Sequence, residues 1–129
     1  MLKNDMAEIL VSEEQLQETI KKLGATLAED YRGKDPLVIC ILKGAIFFMA
    51  DLVRAMDCDL EVDFMDVSSY HGGTESSGVI KIKKDCGMDI EGRHVIIVED
   101  IVDTGRTLKA LIENLKERNV ASLACASSR

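Results

Sequence analysis

The chain has 129 residues, 47% apolar and 30% charged, proportions that suit a core-forming protein of one domain, residues 1–129. Aromatics make up 4% with no Trp, which argues against a base-stacking nucleic-acid platform. With 23 acids against 16 bases the net charge is −7, which excludes a broad basic surface but leaves room for a local phosphate pocket.

Ile9-Leu10-Val11 is a short apolar run, and Ser12-Glu13-Glu14-Gln15 after it has the capping-box pattern that starts a helix. Leu16, Ile20, Leu23 and Leu27 recur at helical spacing and leave Gln17, Lys21 and Lys22 for solvent. Pro36 to Leu42 is a nearly unbroken apolar run, the mark of a strand buried on both faces and too short to cross a bilayer. Ala45 to Met56 reads as a helix with Phe48, Leu52 and Met56 on one face. Leu60, Val62 and Phe64 alternate with Glu61, Asp63 and Met65, which predicts a strand whose second face is wetter. A polar, glycine-bearing loop, Ser68 to Gly78, precedes a further alternating strand over Val79 to Lys84. Arg93 to Val98 is a second buried strand, Thr107 to Arg118 an amphipathic helix, and Val120 to Ala126 one more strand. Such alternation predicts an α/β fold around a mainly parallel sheet flanked by helices, with ligands beyond the carboxyl ends of the strands.

Cys40, Cys58, Cys86 and Cys125 form no C-x-x-C pair and are expected as small, mostly buried thiols. His71 and His94 are expected in solvated and structural roles. The N-terminus lacks the apolar core of a signal peptide, so a cytoplasmic protein without membrane or nucleic-acid partners is expected.

The loop after Val98 carries the chemistry. Asp103-Thr104-Gly105-Arg106-Thr107 has what a phosphate cradle needs: a glycine for close backbone approach, two hydroxyls, a cation and the start of a helix. On its own this turn reads first as a helix N-cap. Glu99-Asp100 changes the balance, because carboxylates at a strand end can accept hydrogen bonds from ribose hydroxyls and suit Mg²⁺. Acids directly before a phosphate turn match the shape of a ribose 5-phosphate. Lys43-Gly44, after the other buried strand, offers a charge and a close backbone approach to a second phosphate group, although a plain strand-to-helix turn reads the same way.

Val95-Ile-Ile-Val-Glu-Asp-Ile-Val-Asp-Thr-Gly-Arg-Thr-Leu108 resembles, without a gap, the phosphoribosyl pyrophosphate signature of the type I phosphoribosyltransferases. Glu99-Asp100 with Asp103 is similar to the 6-oxopurine branch, the hypoxanthine (-guanine) phosphoribosyltransferases. The resemblance implies the type I phosphoribosyltransferase fold and a purine-salvage reaction of hypoxanthine or guanine with phosphoribosyl pyrophosphate. It implies that Glu99 and Asp100 hold ribose hydroxyls and Mg²⁺, that Asp103 to Thr107 hold the 5-phosphate, and that Ile101 flanks the base. Asp103 is then the general base or acid near purine N7. Leu42-Lys43-Gly44 becomes the pyrophosphate loop, often with a cis non-proline peptide, and Ser69-Tyr70 part of a closing lid. A homodimer or homotetramer is implied as well. The likeness runs from about Met6 to Ser122 and implies further C-terminal strands and a base-binding part beyond this chain. A non-catalytic short paralogue that binds phosphoribosyl pyrophosphate or a nucleotide is the alternative reading.

Overall fold

The two unbroken apolar runs become neighbouring central strands of one sheet. A computed structural model of the chain describes residues 8–11, 16–69, 80–100 and 105–128. In chain order these form β1 (Glu8–Val11), α1 (Leu16–Asp30), β2 (Leu37–Ile41), α2 (Ile46–Ala55), β3 (Glu61–Ser69), β4 (Ile80–Lys84), β5 (His94–Asp100), α3 (Gly105–Lys116) and β6 (Ser122–Ser128). The sheet order is β1-β6-β5-β2-β3-β4. Every neighbouring pair is parallel except β3 and β4, which run antiparallel.

Residues of β2 and β5 alternate between two cores because successive side chains of a strand point to opposite faces. Val38, Cys40, Ile96 and Val98 share one face with Ile20, Leu23 and Leu27 of α1 and Phe48 and Leu52 of α2. Leu37, Ile39, Val95 and Ile97 share the other with Leu108, Leu111, Ile112 and Leu115 of α3. The predicted helical stripes are thus the buried ones, each large side chain contributing about 1.5–3 kcal/mol on burial. From β2 the chain crosses through α2 to β3 on one side, and from β5 through α3 to β6 on the other. The connections therefore diverge between β2 and β5, and a crevice opens at their carboxyl ends.

One strand departs from its predicted pattern. Val62, expected on the buried face of β3, is 38% exposed, while Met65, expected on the wetter face, is fully buried. The face opposite α2 is covered here too: Met65 packs with Val67, Ile80 and Ile82 in the same core as α3. Asp63 has a local task instead. Its Oδ2 accepts the backbone N–H groups of Gly87 (2.8 Å) and Met88 (3.2 Å), tying the chain after β4 to β3.

None of the four cysteines forms a disulfide; Cys40 and Cys125 are buried, Cys58 and Cys86 half-buried. No helix among the described residues is long and apolar enough to cross a membrane. The Ser12–Gln15 capping pattern lies outside the described residues.

Candidate active site

The turn between β2 and α2 forms one wall of the crevice. β2 ends because its last partner bond is used up: the Leu42 backbone N–H donates to the Met65 carbonyl of β3 at 2.9 Å. The chain then reverses through a cis peptide between Leu42 and Lys43, the non-proline cis bond that the resemblance implied. Lys43 and Gly44 are exposed, and Ala45, directly after them, is fully buried and anchors the turn in the core. Ala45 is also the N-cap of α2, and no side chain caps that helix end. The Ile46 N–H donates to the Lys43 carbonyl at 3.2 Å, and the positive end of the helix dipole still faces the turn, which suits a phosphate.

The end of β5 forms the facing wall. The sequence places Glu99 and Asp100 after the strand, but both remain within it, paired in register with Ser127 and Ser128 of β6. Strand alternation therefore sends them to opposite faces. Asp100 follows Ile96 and Val98 to the α2 side, and Glu99 follows Val95 and Ile97 to the α3 side. Both side chains are half-buried, and the Glu99 Oε1 atom is buried. Asp100 reaches the β2–α2 turn itself: a Cβ built on Gly44 would meet the Asp100 Oδ2 atom at 2.7 Å. A phosphate-type turn and a carboxylate thus adjoin, although they come from separate βα units.

Of the remaining expected residues, Thr107 is half-buried in the first turn of α3. The backbone of Gly105 and Arg106 opens that helix, directly after the phosphate-cradle segment, and Ser69 closes β3. Ile101, Asp103, Thr104 and Tyr70 lie outside the described residues. The described geometry thus brings Gly44 to Asp100, leaves Glu99 on the opposite face of β5, and sets α3 after them in the chain. Sequence reasoning missed the uncapped start of α2, and no side-chain signal marks it.

Among the described residues no group of three or more His, Cys, Asp or Glu side chains could hold a metal ion alone. Mg²⁺ does not need one, since it takes one or two carboxylates and completes its shell with water and substrate phosphate oxygens. Asp100, an oxygen-donor side chain beside an anion-binding turn, fits an ion that arrives with a phosphorylated ligand, whereas strand alternation turns Glu99, the other acid expected to hold it, to the opposite face of β5.

Comparison with known proteins places these features in a lineage. The phosphoribosyl transferase domain family matches residues 7–128. The chain is 58% identical to a hypoxanthine-guanine phosphoribosyltransferase of Streptococcus pneumoniae over 127 residues, which span 98% of this chain and 71% of that protein. A corresponding Staphylococcus aureus protein is 52% identical over 120 residues, 93% of this chain and 67% of its own length. A crystal structure of a hypoxanthine phosphoribosyltransferase from Staphylococcus aureus superposes with a TM-score of 0.82 at 51% identity, covering 96% of this chain and 67% of that one. One from Bacillus anthracis, with a HEPES molecule in its active site, gives 0.81 at 40% identity, covering 92% and 70%.

Proposed function

Because the chain belongs to the phosphoribosyl transferase family and to its hypoxanthine-guanine branch, we propose that its crevice binds phosphoribosyl pyrophosphate and a 6-oxopurine and joins them into a purine nucleotide. The observation that carries this reading is the meeting of the Gly44 turn with the Asp100 carboxylate across the switch point of the sheet. A ligand with a sugar between two phosphate groups needs acids for its hydroxyls flanked by two anion-binding turns; the Gly44 turn beside Asp100 supports the first half of that order, and Asp103 to Thr107 follow the acids in the sequence.

The reaction is a displacement at ribose C1′. The bond from C1′ to the pyrophosphate oxygen breaks, its electron pair leaves with pyrophosphate, and a purine ring nitrogen forms the new bond. Lys43 and the backbone at Gly44 receive the departing pyrophosphate. Asp103 to Thr107 hold the 5-phosphate, the Thr hydroxyls and Arg106 donating to its oxygens. Glu99 and Asp100 fix the ribose hydroxyls, and their negative charge favours the cation-like sugar of the transition state. Asp103 takes the proton that the purine ring loses, Ile101 packs beside the base, and Ser69 with Tyr70 covers the reacting carbon against water. Mg²⁺, when bound, would be held by the Asp100 carboxylate together with substrate oxygens and would supply charge to offset the pyrophosphate leaving group.

The test is nucleotide formation from hypoxanthine or guanine, phosphoribosyl pyrophosphate and Mg²⁺, followed by ultraviolet absorbance. The wild-type chain is expected to form product. Asp103→Asn is expected to lose about 10²- to 10⁴-fold in kcat, the range of general acid–base help, while its affinity for phosphoribosyl pyrophosphate holds. Ligand binding without product in the wild type would reduce the reading to a binding module, and unchanged turnover in Asp103→Asn would remove the aspartate's role.

A further inference from the structure

Gly44 has no side chain, and besides the close approach to a phosphate already described, two needs within the protein could explain that. One is conformational, since glycine alone accepts left-handed backbone readily. That need is absent at this position: the glycines with positive φ among the described residues are Gly33 and Gly92. The other need is space, and it is acute. A Cβ on residue 44 would fall 2.7 Å from Asp100 Oδ2 and 3.4 Å from Asp100 Cβ and Cγ, so the three nearest atoms all belong to one side chain. The geometry points to Gly44 as a positioning residue for Asp100: the empty space at residue 44 is where the carboxylate that faces the ribose comes to rest. This rests on the reading of the site given above and adds to it, because Gly44 then serves the sugar as well as the pyrophosphate.

The crowding atom decides what a substitution does. A carboxylate is the far end of a flexible side chain and can rotate away at small cost, whereas backbone cannot. Gly44→Ala therefore leaves the fold intact and sends the Asp100 carboxylate to another rotamer. Losing the hydrogen bonds that a charged group makes to a ligand costs on the order of 10- to 100-fold in affinity. The loss travels through Asp100, so it reaches any ligand that carries the ribose 5-phosphate, with or without pyrophosphate.

Inosine 5′-monophosphate separates the two roles, since it has the sugar phosphate and no pyrophosphate. Its affinity and that of phosphoribosyl pyrophosphate with Mg²⁺ are measured by calorimetry on wild type, Gly44→Ala, Asp100→Ala and the double variant. Gly44→Ala is expected to weaken both ligands by about 10- to 100-fold. In the Asp100→Ala background the same change is expected to alter inosine monophosphate binding by less than about twofold, because the clashing atoms are gone. Nucleotide affinity untouched by Gly44→Ala, or a full loss that persists without the Asp100 carboxylate, would overturn the proposal. If Gly44→Ala does not fold, recovery of the fold in the double variant supports the contact and failure to recover refutes it. Should the wild type bind neither ligand, the functional reading fails, and a ligand-free crystal structure of Gly44→Ala still decides the contact: a displaced Asp100 carboxylate upholds it, an unmoved one ends it.

Discussion

At its carboxyl end α2 meets α1 through Gly24, where an added Cβ would fall 2.5 Å from the Cβ of Ala55 and 2.8 Å from its carbonyl carbon and oxygen. Just before its amino end, Gly44 is crowded to nearly the same degree by the Asp100 carboxylate, 2.7 Å from the same imaginary atom. The distances are alike and the consequences are not. Ala55 presents backbone of a packed helix, so relief at Gly24 requires α2 to shift off α1. Asp100 presents a rotatable carboxylate, so relief at Gly44 moves a side chain and leaves the backbone in place. Which atom must yield, rather than how close it stands, separates a structural glycine from a functional one.

The largest effect expected along α2 belongs to its middle. Leu52 has no exposed surface and packs in the core shared by α1, α2, β2 and β5. Leu52→Ala is expected to cost about 2–5 kcal/mol in urea unfolding, the transfer and cavity terms together. A loss below about 1 kcal/mol would mean that α2 is held by its ends instead. Gly24→Ala comes next, and there two effects oppose. Alanine inside α1 gains about 1 kcal/mol in helix propensity, while overpacking against Ala55 costs about 1–3 kcal/mol. Overpacking against backbone is expected to prevail, leaving a net loss of up to about 2 kcal/mol with ligand affinity unchanged. A stabilised Gly24→Ala would erase the contrast with Gly44.

The scaffold was legible in the sequence wherever one physical rule acted alone. β2 and β5 are buried on both faces, so their apolar runs announce them. Leu108, Leu111, Ile112 and Leu115 mark the buried stripe of α3 in the same direct way. Legibility fails where a second element decides the outcome. Met65 is buried by the core on the α3 side of β3, which alternation within one strand cannot foresee. The carboxylate of Asp63 meets N–H groups beyond β4, far off in sequence. In the site, the residue types and their order were readable, because a glycine turn and paired acids each have a local chemical meaning. Two things were not. Glu99 and Asp100 read as loop acids, and only the register with β6 shows them as strand residues aimed at opposite faces. The contact of Gly44 with Asp100 joins two βα units and leaves no mark in either.

The smallest effect expected lies at the amino ends of the strands, away from the crevice. His94 Nδ1 and the Ser122 hydroxyl are 2.7 Å apart, and the His94 ring meets Tyr31 edge-on with centroids 6.2 Å apart. Burial holds the imidazole below its ordinary pKa of 6.5, and the Lys34 ammonium adds to the effect. The unfolded chain therefore takes up a proton more readily than the folded one. This contribution to stability is complete above the ordinary pKa and is lost as pH falls through the lower, folded value. Between about pH 7.5 and 5.5, above the range of most carboxylates, the melting temperature is expected to drop by the order of a degree or two, and by less in His94→Gln. Lys34→Met is expected to shrink the drop partway, since it removes the second cause and leaves the burial. An equal drop in wild type and His94→Gln would assign the slope to other groups. The contrast between the two ends of the sheet predicts one thing more. The His94→Gln change should leave ligand affinity at the crevice unaltered across the same pH range, because His94 and Ser122 lie at the amino ends of β5 and β6, whereas Asp100 and the Gly44 turn lie at the carboxyl ends of β5 and β2.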